Sequence, residues 1–474
     1  MHSSDLVTIS EAAHRVGKTV ANIRYYIEYN RIGKYNPRGE RINGRAQNGT
    51  LRVSLTEIQQ FLNLIDRGIQ KHRSSELDAD LGFYKVPEYE RTKHVHRLHP
   101  YLGKFIPQLV EWFLSRYFKE DDIILDPFMG SGTTVVQANE MSMHSIGVEI
   151  SEFNCLIARV KLANYDLDKA KREVLDAEKR LTEFSNASFI ATDSRQLPLI
   201  PESQLESLKW GIKSDVQSDY LKTWFADRTL AEMLFYRSII EDYDYQNLLR
   251  IILSRAVRSA RLIPHYDLAR PKSPIEPGKE YWCKKHRRYC KPIEELLVKV
   301  HNYSMDTIRR LETFSKLRSD KYFKITQRDS RNVNLEEELR FSPLENRKID
   351  GIFTSPPYVG QIDYHDQHIY AYELFGFKRN DEAEIGSRKT GQSTKAQQDY
   401  IEGISASLRN VNQYLKGDAK VFIVANDKYN LYPGIAERSG MEIIQQFKRA
   451  VTKRTEQGDN PYQETIFLMM RVKS

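Results

Sequence analysis

Short apolar runs alternate with helix-like stretches through the middle and later parts of the chain, and this alternation is typical of an α/β sheet. The run over 123–125 is followed by a glycine-rich turn, a helix-like stretch over 135–141 and a second strand over 145–150. Another apolar run ends at Thr354, and further strands are predicted, over 419–426 and 464–472. The pattern predicts an α/β fold whose strands end in polar turns, where open sheets of this class place their ligands.

A smaller unit precedes this body. Thr8 is placed to cap a helix that ends near Gly17, and apolar side chains at helical spacing predict a second helix over 19–29. A basic loop, a strand over 51–53 and a third helix over 56–64 follow. This succession resembles the winged helix-turn-helix of the MerR and excisionase type, in which the second helix enters the major groove of DNA.

The resemblance implies that the N-terminal unit contacts DNA through its second helix and its wing. The residues implied in base or phosphate contact are Lys18, Thr19, Asn22, Arg24, Arg45 and Arg52. The alternative is a small helical domain that contacts other proteins.

Positive charge is concentrated in two windows. Residues 1–73 contain 12 Lys/Arg and 6 Asp/Glu, and residues 250–299 contain 13 and 5, so the windows carry +6 and +8 in a chain whose total is +8. The remainder is therefore slightly acidic. Clustered positive charge is typical of nucleic-acid contact, and solvated basic faces are the alternative.

Composition also bears on location. No uninterrupted apolar run approaches the ~18 residues needed to span a bilayer, and the start of the chain lacks a basic segment followed by an apolar one. The three cysteines, Cys155, Cys283 and Cys290, are too few for a disulfide framework. We expect a cytoplasmic protein without membrane contact.

The first strand leads into the turn Asp-Pro-Phe-Met-Gly-Ser-Gly-Thr-Thr over 126–134. Gly130 and Gly132 are expected to let the backbone approach a ligand closely, and Glu149 can accept both hydroxyls of a ribose. The turn lacks the Gly-Lys-Ser/Thr ending of a phosphate-binding P-loop. The strand, turn, helix and strand are together typical of nucleotide-binding α/β sheets.

The apolar run that ends at Thr354 continues into Ser-Pro-Pro-Tyr over 355–358. Two prolines fix the backbone and remove two N–H donors, so that only acceptors remain there. The Ser355 hydroxyl and the Pro356 carbonyl, beside the Tyr358 ring, suit a flat ring that carries an amino group.

In this order the two motifs resemble those of the amino-methyltransferases of DNA, which carry a Phe-x-Gly-x-Gly turn for S-adenosylmethionine and an Asp/Asn/Ser-Pro-Pro-Tyr catalytic loop. The resemblance implies a Rossmann-like methyltransferase sheet and S-adenosylmethionine as the cofactor. The implied catalytic residues are Ser355, Pro356, Pro357 and Tyr358. The implied cofactor-binding residues are Lys104, Phe105, Asp126, Pro127, Phe128, Gly130, Gly132, Thr133, Glu149 and Asp329.

Two further segments follow from the same resemblance. Residues 99–107 resemble the family's segment that covers the methionine end of the cofactor. Asp193 begins a second Asp-Ser-Arg triplet, but Asp329 is favoured as the acid that contacts the adenine, because it lies shortly before the catalytic motif.

The resemblance also suggests which base is methylated. Members with Ser at the position of Ser355 mostly resemble cytosine-N4 enzymes, and those with Asp or Asn mostly resemble adenine-N6 enzymes. The expected substrate is double-stranded DNA with the target base flipped out, in a restriction-modification setting that includes a cognate restriction endonuclease as a partner. An adenine-N6 enzyme, an RNA base methyltransferase and a catalytically inactive DNA-binding regulator are the alternatives.

These motifs divide the chain into five predicted parts. They are a winged helix-turn-helix domain (1–70), a linker (71–92), the cofactor half of the core (93–155), a helix-rich insertion that is the candidate for target recognition (156–320) and the catalytic half (321–474). In the insertion Arg255, Arg258 and Arg261 fall three apart near one face of an amphipathic helix over 248–262, and they are predicted to contact DNA. A solvated face is the alternative.

The insertion also contains Cys283, His286 and Cys290 in a Cys-x2-His-x3-Cys spacing. This spacing can supply three zinc ligands, with His265 or His301 as a fourth. Three ligands within eight residues are cramped and the fourth is ambiguous. An ordinary basic loop is therefore favoured, and no metal is expected.

Overall fold

The structure is a computed structural model that describes most of residues 5–472. The residues within that range outside the description are 19, 29–31, 43–50, 71–77, 84, 85, 87–90, 102, 191–217, 269, 270, 362, 364 and 452–461. The predicted Thr19 and Arg45 contacts and the Asp193 triplet lie outside the described residues, as does the side chain of Asn22.

Strands and helices are numbered in chain order. The strands are β1 (Leu6–Thr8), β2 (Arg52–Ser54), β3 (Ile123–Asp126), β4 (His144–Glu149), β5 (Tyr281–Cys283), β6 (Arg288–Cys290), β7 (Phe323–Gln327), β8 (Ile349–Thr354), β9 (Leu415–Ala425), β10 (Met441–Val451) and β11 (Tyr462–Arg471). The α-helices are α1 (Ile9–Arg15), α2 (Val20–Glu28), α3 (Leu55–Gln70), α4 (Pro107–Tyr117), α5 (Thr133–Glu140), α6 (Glu152–Leu162), α7 (Leu167–Ser185), α8 (Asp219–Trp224), α9 (Asp227–Ile239), α10 (Gln246–Ser259), α11 (Leu297–Ser315), α12 (Leu335–Glu338), α13 (Ile369–Phe375), α14 (Thr394–Asn412) and α15 (Tyr432–Arg438).

A seven-stranded sheet in the order β10-β11-β9-β8-β3-β4-β7 forms the centre of the molecule. The five strands from β9 to β7 are parallel, and β11 runs antiparallel to both of its neighbours. The predicted α/β fold is confirmed, with β7 and β10 as strands of the sheet that the sequence pattern did not predict. From β3 the chain proceeds first to β4 and later to β8 on the other side, so the order reverses between β3 and β8.

Helices cover both faces of this sheet. Alternate residues of a strand point to opposite faces, and here Ile123 and Leu125 pack in the cluster that includes α14, whereas Ile124 packs in the cluster that includes α4. All three are fully buried. The short apolar run is therefore a strand enclosed on both sides, as parallel sheets require.

The insertion between α6 and β7 adds a helical layer made of α7 to α11. Leu249, Ile252 and Leu253 of α10 lie in its core together with residues of α6 and α13. The predicted boundary at 155/156 falls inside α6, which packs on the sheet, so the insertion begins only after that helix. No helix in the described part of the chain is long and apolar enough to cross a membrane.

The N-terminal unit contains the predicted succession of elements. Thr8 Oγ1 accepts the Glu11 N–H at 3.1 Å, and Gly17 after α1 has a φ of 60°. Strand β2 pairs antiparallel with β1, and α3 follows it directly. Lys18 and Arg24 are exposed and Arg52 is half-buried. The winged helix-turn-helix assignment and its DNA contacts stay predictions.

Part of the predicted linker is packed against the sheet. The Asp78 N–H donates to the Lys448 carbonyl at 2.8 Å, and the Lys448 N–H donates to the Asp78 carboxylate at 2.8 Å. Leu81 is 1% exposed in the core next to α4. Residues 78–83 therefore pack along the edge strand β10, whereas the sequence predicted that they form part of an unpacked linker.

Candidate active site

An open cavity of about 800 Å³ lies at the carboxyl ends of β3, β4 and β8, where the strand order reverses. Nine of the ten predicted cofactor residues line it. They are Lys104, Phe105, Asp126, Pro127, Phe128, Gly130, Thr133, Glu149 and Asp329. Ser355 and Pro357 of the predicted catalytic loop line the same cavity, so the structure brings the two sequence motifs together.

The glycine-rich turn needs each of its glycines for a different reason. Gly130 has a φ of 52°, and a Cβ there would lie 2.9 Å from the Tyr101 hydroxyl at the cavity wall. Gly132 has a φ of 83°, and a Cβ there would lie 2.9 Å from Cβ of Ala158 on α6. Gly132 does not line the cavity, and its small size instead lets α5 start close to α6. The prediction that it meets the ligand is therefore not supported.

Asp126 ends β3 inside the protein. Its carboxylate accepts the Thr354 hydroxyl at 2.6 Å and the Phe128 N–H at 3.2 Å, and the residue is 2% exposed. Burial raises the pKa of Asp126 to about 6, because the charged form is poorly solvated there. The Thr354 hydrogen bond also ties the end of β8 to the end of β3.

Two more carboxylates face the cavity. Glu149 accepts N–H groups from Gly130 at 2.8 Å and from Ser151 at 2.9 Å, and burial raises its pKa. Asp329 is held by the Arg331 guanidinium, whose Nε lies 2.9 Å from the carboxylate. Fixed carboxylates that retain access to the cavity are suited to bind the hydroxyl and amino groups of a nucleoside.

The catalytic loop lies between this cavity and a smaller one. Pro356 of this loop is buried and its side chain lines neither cavity, and the Tyr358 hydroxyl donates to the Glu464 carboxylate at 3.0 Å. Tyr358 lines the second hollow, of about 290 Å³, together with Asn426, Asp427 and Tyr429. Arg449 Nε lies 3.0 Å from the Glu464 carboxylate, which fixes that carboxylate in turn.

Comparison with known proteins identifies the family. A family model described as "DNA methylase" (N6_N4_Mtase) matches residues 56–160. The type II methyltransferase M.MjaII of Methanocaldococcus jannaschii is 43% identical over 98% of this chain and 96% of its own length. This chain belongs to the type II DNA methyltransferases.

Other matches are weaker. The type II methyltransferase M.BsoBI of Geobacillus stearothermophilus is 24% identical over 79% of this chain and 68% of its own length. The crystal structure of TrmN from Thermus thermophilus aligns with 78% of this methyltransferase and 50% of that chain, with 11% identity and a TM-score of 0.28. That score is too low to support an argument about function.

S-adenosylmethionine is the methyl donor of this methyltransferase, and the cavity fits it. The ligand has an adenine ring, a ribose, a sulfonium and an amino acid end that carries an ammonium group and a carboxylate, and the wall combines apolar rings with carboxylates at separate positions. Gly130 leaves room for close approach, and the carboxylates of Asp126 and Glu149 match the cationic and hydroxyl groups.

Some lining residues of the methyltransferase carry no motif in the sequence. Three consecutive residues, 383–385, reach the cavity from the segment after α13. Among them Glu384 accepts the His365 N–H at 2.9 Å, which fixes its carboxylate. Tyr101, by contrast, lines the cavity from within 99–107, the segment that the family resemblance assigns to the cofactor.

Of the three arginines predicted to contact DNA, Arg255 and Arg258 lie on α10 and Arg261 lies just after it. Arg255 is 5% exposed and donates to Asp306 at 2.6 Å. Arg261 is 4% exposed, donates to the Leu268 carbonyl at 2.7 Å and stacks over the Tyr370 ring. Arg258 is partly buried between them. The predicted DNA contact is wrong for Arg255 and Arg261, because Arg255 packs against α11 through Asp306 and Arg261 packs against Tyr370 of α13.

The cysteine and histidine cluster of the insertion does come together. The potential ligand atoms of Cys283, His286 and Cys290 lie within 4.8 Å of one another and of His265. The alternative fourth residue, His301, is instead paired with Glu178 at 2.6 Å on the helical layer.

Proposed function

We propose that this methyltransferase transfers a methyl group to the exocyclic N4 amine of cytosine in double-stranded DNA. The observation that carries the proposal is the position of Ser355, which lines the cofactor cavity at the start of a loop whose Tyr358 lines the adjoining hollow. Ser at this position resembles the cytosine-N4 members of the family.

The two cavities suit the two substrates. A base within a stacked duplex cannot reach a side chain in a cavity, so the target base is expected to flip out of the helix. The smaller hollow is the proposed site for that base, with the Tyr358 ring stacked against it. Cofactor and base would then meet at the Ser355 loop.

Ser355 and Pro356 are proposed to orient the amine. Its lone pair is delocalised into the ring, which makes the nitrogen a poor nucleophile. The Ser355 hydroxyl and the Pro356 carbonyl would accept the hydrogens of the amine. These bonds favour a tetrahedral nitrogen whose lone pair is no longer delocalised into the ring. Bound S-adenosylmethionine supplies an electrophilic methyl group, and much of the rate is expected to come from positioning.

Methylation of a ring carbon would need a different set of residues. That reaction uses a cysteine nucleophile, and no cysteine lines the cavity in the described part of the chain. Cys155 is buried, and its thiol donates to the Glu149 carbonyl at 3.7 Å. The site therefore favours an exocyclic amine as the acceptor.

Mass analysis of nucleosides after incubation with labelled S-adenosylmethionine and unmethylated plasmid tests the proposal. We expect 4-methylcytosine, which disappears in Ser355→Ala and persists in Ser115→Ala, where the replaced hydroxyl bonds only its own helix. A 6-methyladenine product would contradict the choice of base. Label found in RNA alone would contradict DNA as the substrate, and cofactor binding without any product would indicate a regulator.

DNA binding is proposed to involve the N-terminal unit. Lys18 and Arg24 are exposed on and beside α2, which is where a recognition helix would contact phosphates and bases. Replacing both with alanine should make the slope of log DNA affinity against log salt concentration shallower. The expected change is about one unit for each phosphate that the protein no longer neutralises. An unchanged slope would contradict this role.

A cognate restriction endonuclease is the proposed partner, and its cleavage should be blocked by the methylation.

A further inference from the structure

We propose that His265, Cys283, His286 and Cys290 bind one zinc ion that holds the loop between α10 and α11 in place. The proposal concerns a site outside the catalytic cavity and is independent of which base is methylated. It replaces the basic loop that the sequence favoured, because the structure supplies the fourth ligand that the local spacing lacks.

Distances between the ligand atoms match a tetrahedral site. His286 Nδ1 lies 3.3 Å from His265 Nδ1, 3.6 Å from Cys283 Sγ and 3.5 Å from Cys290 Sγ. Zinc bonds of about 2.0–2.1 Å to nitrogen and about 2.3 Å to sulfur separate the corners of a tetrahedron by roughly 3.3–3.8 Å. The three distances from His286 therefore already have the spacing that a zinc ion would impose, and the other three pairs of ligand atoms lie within 4.8 Å.

Backbone geometry brings the four residues together. Strands β5 and β6 form a hairpin in which Cys283 lies opposite Arg288, and the Arg287 N–H donates to the Cys283 carbonyl at 2.7 Å. Arg287 has a φ of 53°, which tightens the turn between the cysteines. The His265 N–H donates to the Tyr281 hydroxyl at 2.9 Å, so the distant histidine is docked on the same hairpin.

The loop has little else to stabilise it. Among the described residues from 264 to 295, only Cys283 and Pro292 are buried. Trp282 and Tyr289 are 53% and 68% exposed, so the aromatic side chains of the hairpin do not form a core. A two-stranded hairpin without a core is marginally stable in water, and a metal ion is a common substitute for one.

The chemistry of the ligands indicates a structural role. Two thiolates and two neutral imidazoles neutralise the ion and fill all four positions of a tetrahedral zinc, which leaves none open for a substrate. Bound zinc would fix a hairpin that presents Lys284, Arg287 and Arg288 beside the exposed aromatic rings. The positive charge of this window would then lie on a folded surface instead of on α10.

Metal content of the full-length protein, purified from zinc-supplemented medium without chelators, is the first test. We expect one zinc per chain in the wild type and a loss of at least about tenfold in His265→Asn and Cys283→Ser. The matched controls, His301→Asn and Cys155→Ser, should retain one zinc. Wild-type protein without zinc, or with a disulfide between Cys283 and Cys290 in a non-reducing peptide map, would overturn the proposal.

Cobalt(II) substitution gives a second readout, and its wild-type spectrum does not depend on how well the variants fold. The wild type should show a thiolate charge-transfer band and the intense visible bands of a tetrahedral site. His265→Asn should keep the thiolate band and change the visible bands, because one nitrogen ligand is replaced. Identical spectra for the two proteins would overturn the assignment of His265, and absence of the thiolate band in the wild type would overturn the site.

Discussion

Replacing Arg255 with alanine is expected to destabilise the protein and to leave its DNA binding unchanged. Arg255 and Arg309 both donate to the carboxylate of Asp306, at 2.6 Å and 2.9 Å. Their side chains differ in exposure, at 5% for Arg255 and 73% for Arg309. The two arginines therefore share one carboxylate and differ in burial, and Arg255 also donates to the Thr307 hydroxyl at 2.9 Å.

The loss of stability expected for Arg255→Ala follows from the Asp306 carboxylate, which would stay ionised without its buried partner. Burial alone would raise the pKa of Asp306, but a hydrogen bond from Arg310 and the charge of Arg255 hold that pKa below its usual value, so the carboxylate is ionised at neutral pH. Removing one partner of a buried pair costs about 3–5 kcal/mol. Because Arg310 remains at 2.7 Å, we expect about 3 kcal/mol for Arg255→Ala, and less than about 1 kcal/mol for Arg309→Ala.

Urea unfolding followed by circular dichroism measures the free energies, and fluorescence anisotropy over a series of salt concentrations measures DNA affinity. Both variants should keep the salt slope of the wild type. Equal losses of stability in the two variants would refute the argument from burial. A reduced salt slope in Arg255→Ala at unchanged stability would show that this arginine reaches DNA after all.

The remaining predictions concern the cavity and its loop. Burial raises the pKa of Asp126 to about 6, so affinity for S-adenosylmethionine should fall roughly fivefold between pH 6, where about half of the carboxyl is ionised, and pH 5, where about a tenth of it still attracts the ammonium group. Calorimetric titration checks this, and Asp126→Asn should flatten the profile. Gly130→Ala places a methyl group 2.9 Å from a tyrosine hydroxyl and should weaken cofactor binding at least about tenfold, whereas Gly417→Ala, with nothing within 4 Å, should not. Tyr358→Phe keeps the ring and loses the hydrogen bond to Glu464, and it should slow single-turnover methylation by about tenfold or less. Tyr358→Ala should slow it much more, and equal losses would contradict a stacking role.

Sequence predicted the centre of the molecule better than its surroundings. The run Ile123–Leu125 and the turn after it are local signals, since apolar residues, glycines and a terminal acid specify a strand, a turn and a strand within about thirty residues. Strand β10 was not predicted, because its residues from Met441 to Val451 mix charged and apolar side chains without a strict alternation. Its position depends on β11, with which it pairs over its whole length.

The errors at the sites have a similar cause. The arginines of α10 were predicted to be exposed because helical spacing shows which residues share a face and does not show what covers it. Asp306, the partner of Arg255, lies 51 residues further along the chain. His265 could not be preferred over His301 for the same reason, since only the docking of the hairpin distinguishes them. Likewise, nothing near Glu384 in the sequence marks it as part of the cavity wall.

The hydrogen bond between Tyr358 and Glu464 has a consequence for when the enzyme becomes active during synthesis. Glu464 lies on β11, which enters the sheet between β9 and β10, and 106 residues separate it from the tyrosine that it binds. A nascent chain that has emerged as far as the catalytic loop already contains both sequence motifs, yet it lacks three strands and the partner that fixes the loop. Translation beyond residue 464 is therefore required before the loop can be fixed, and incomplete chains on the ribosome are expected to leave the DNA around them unmethylated.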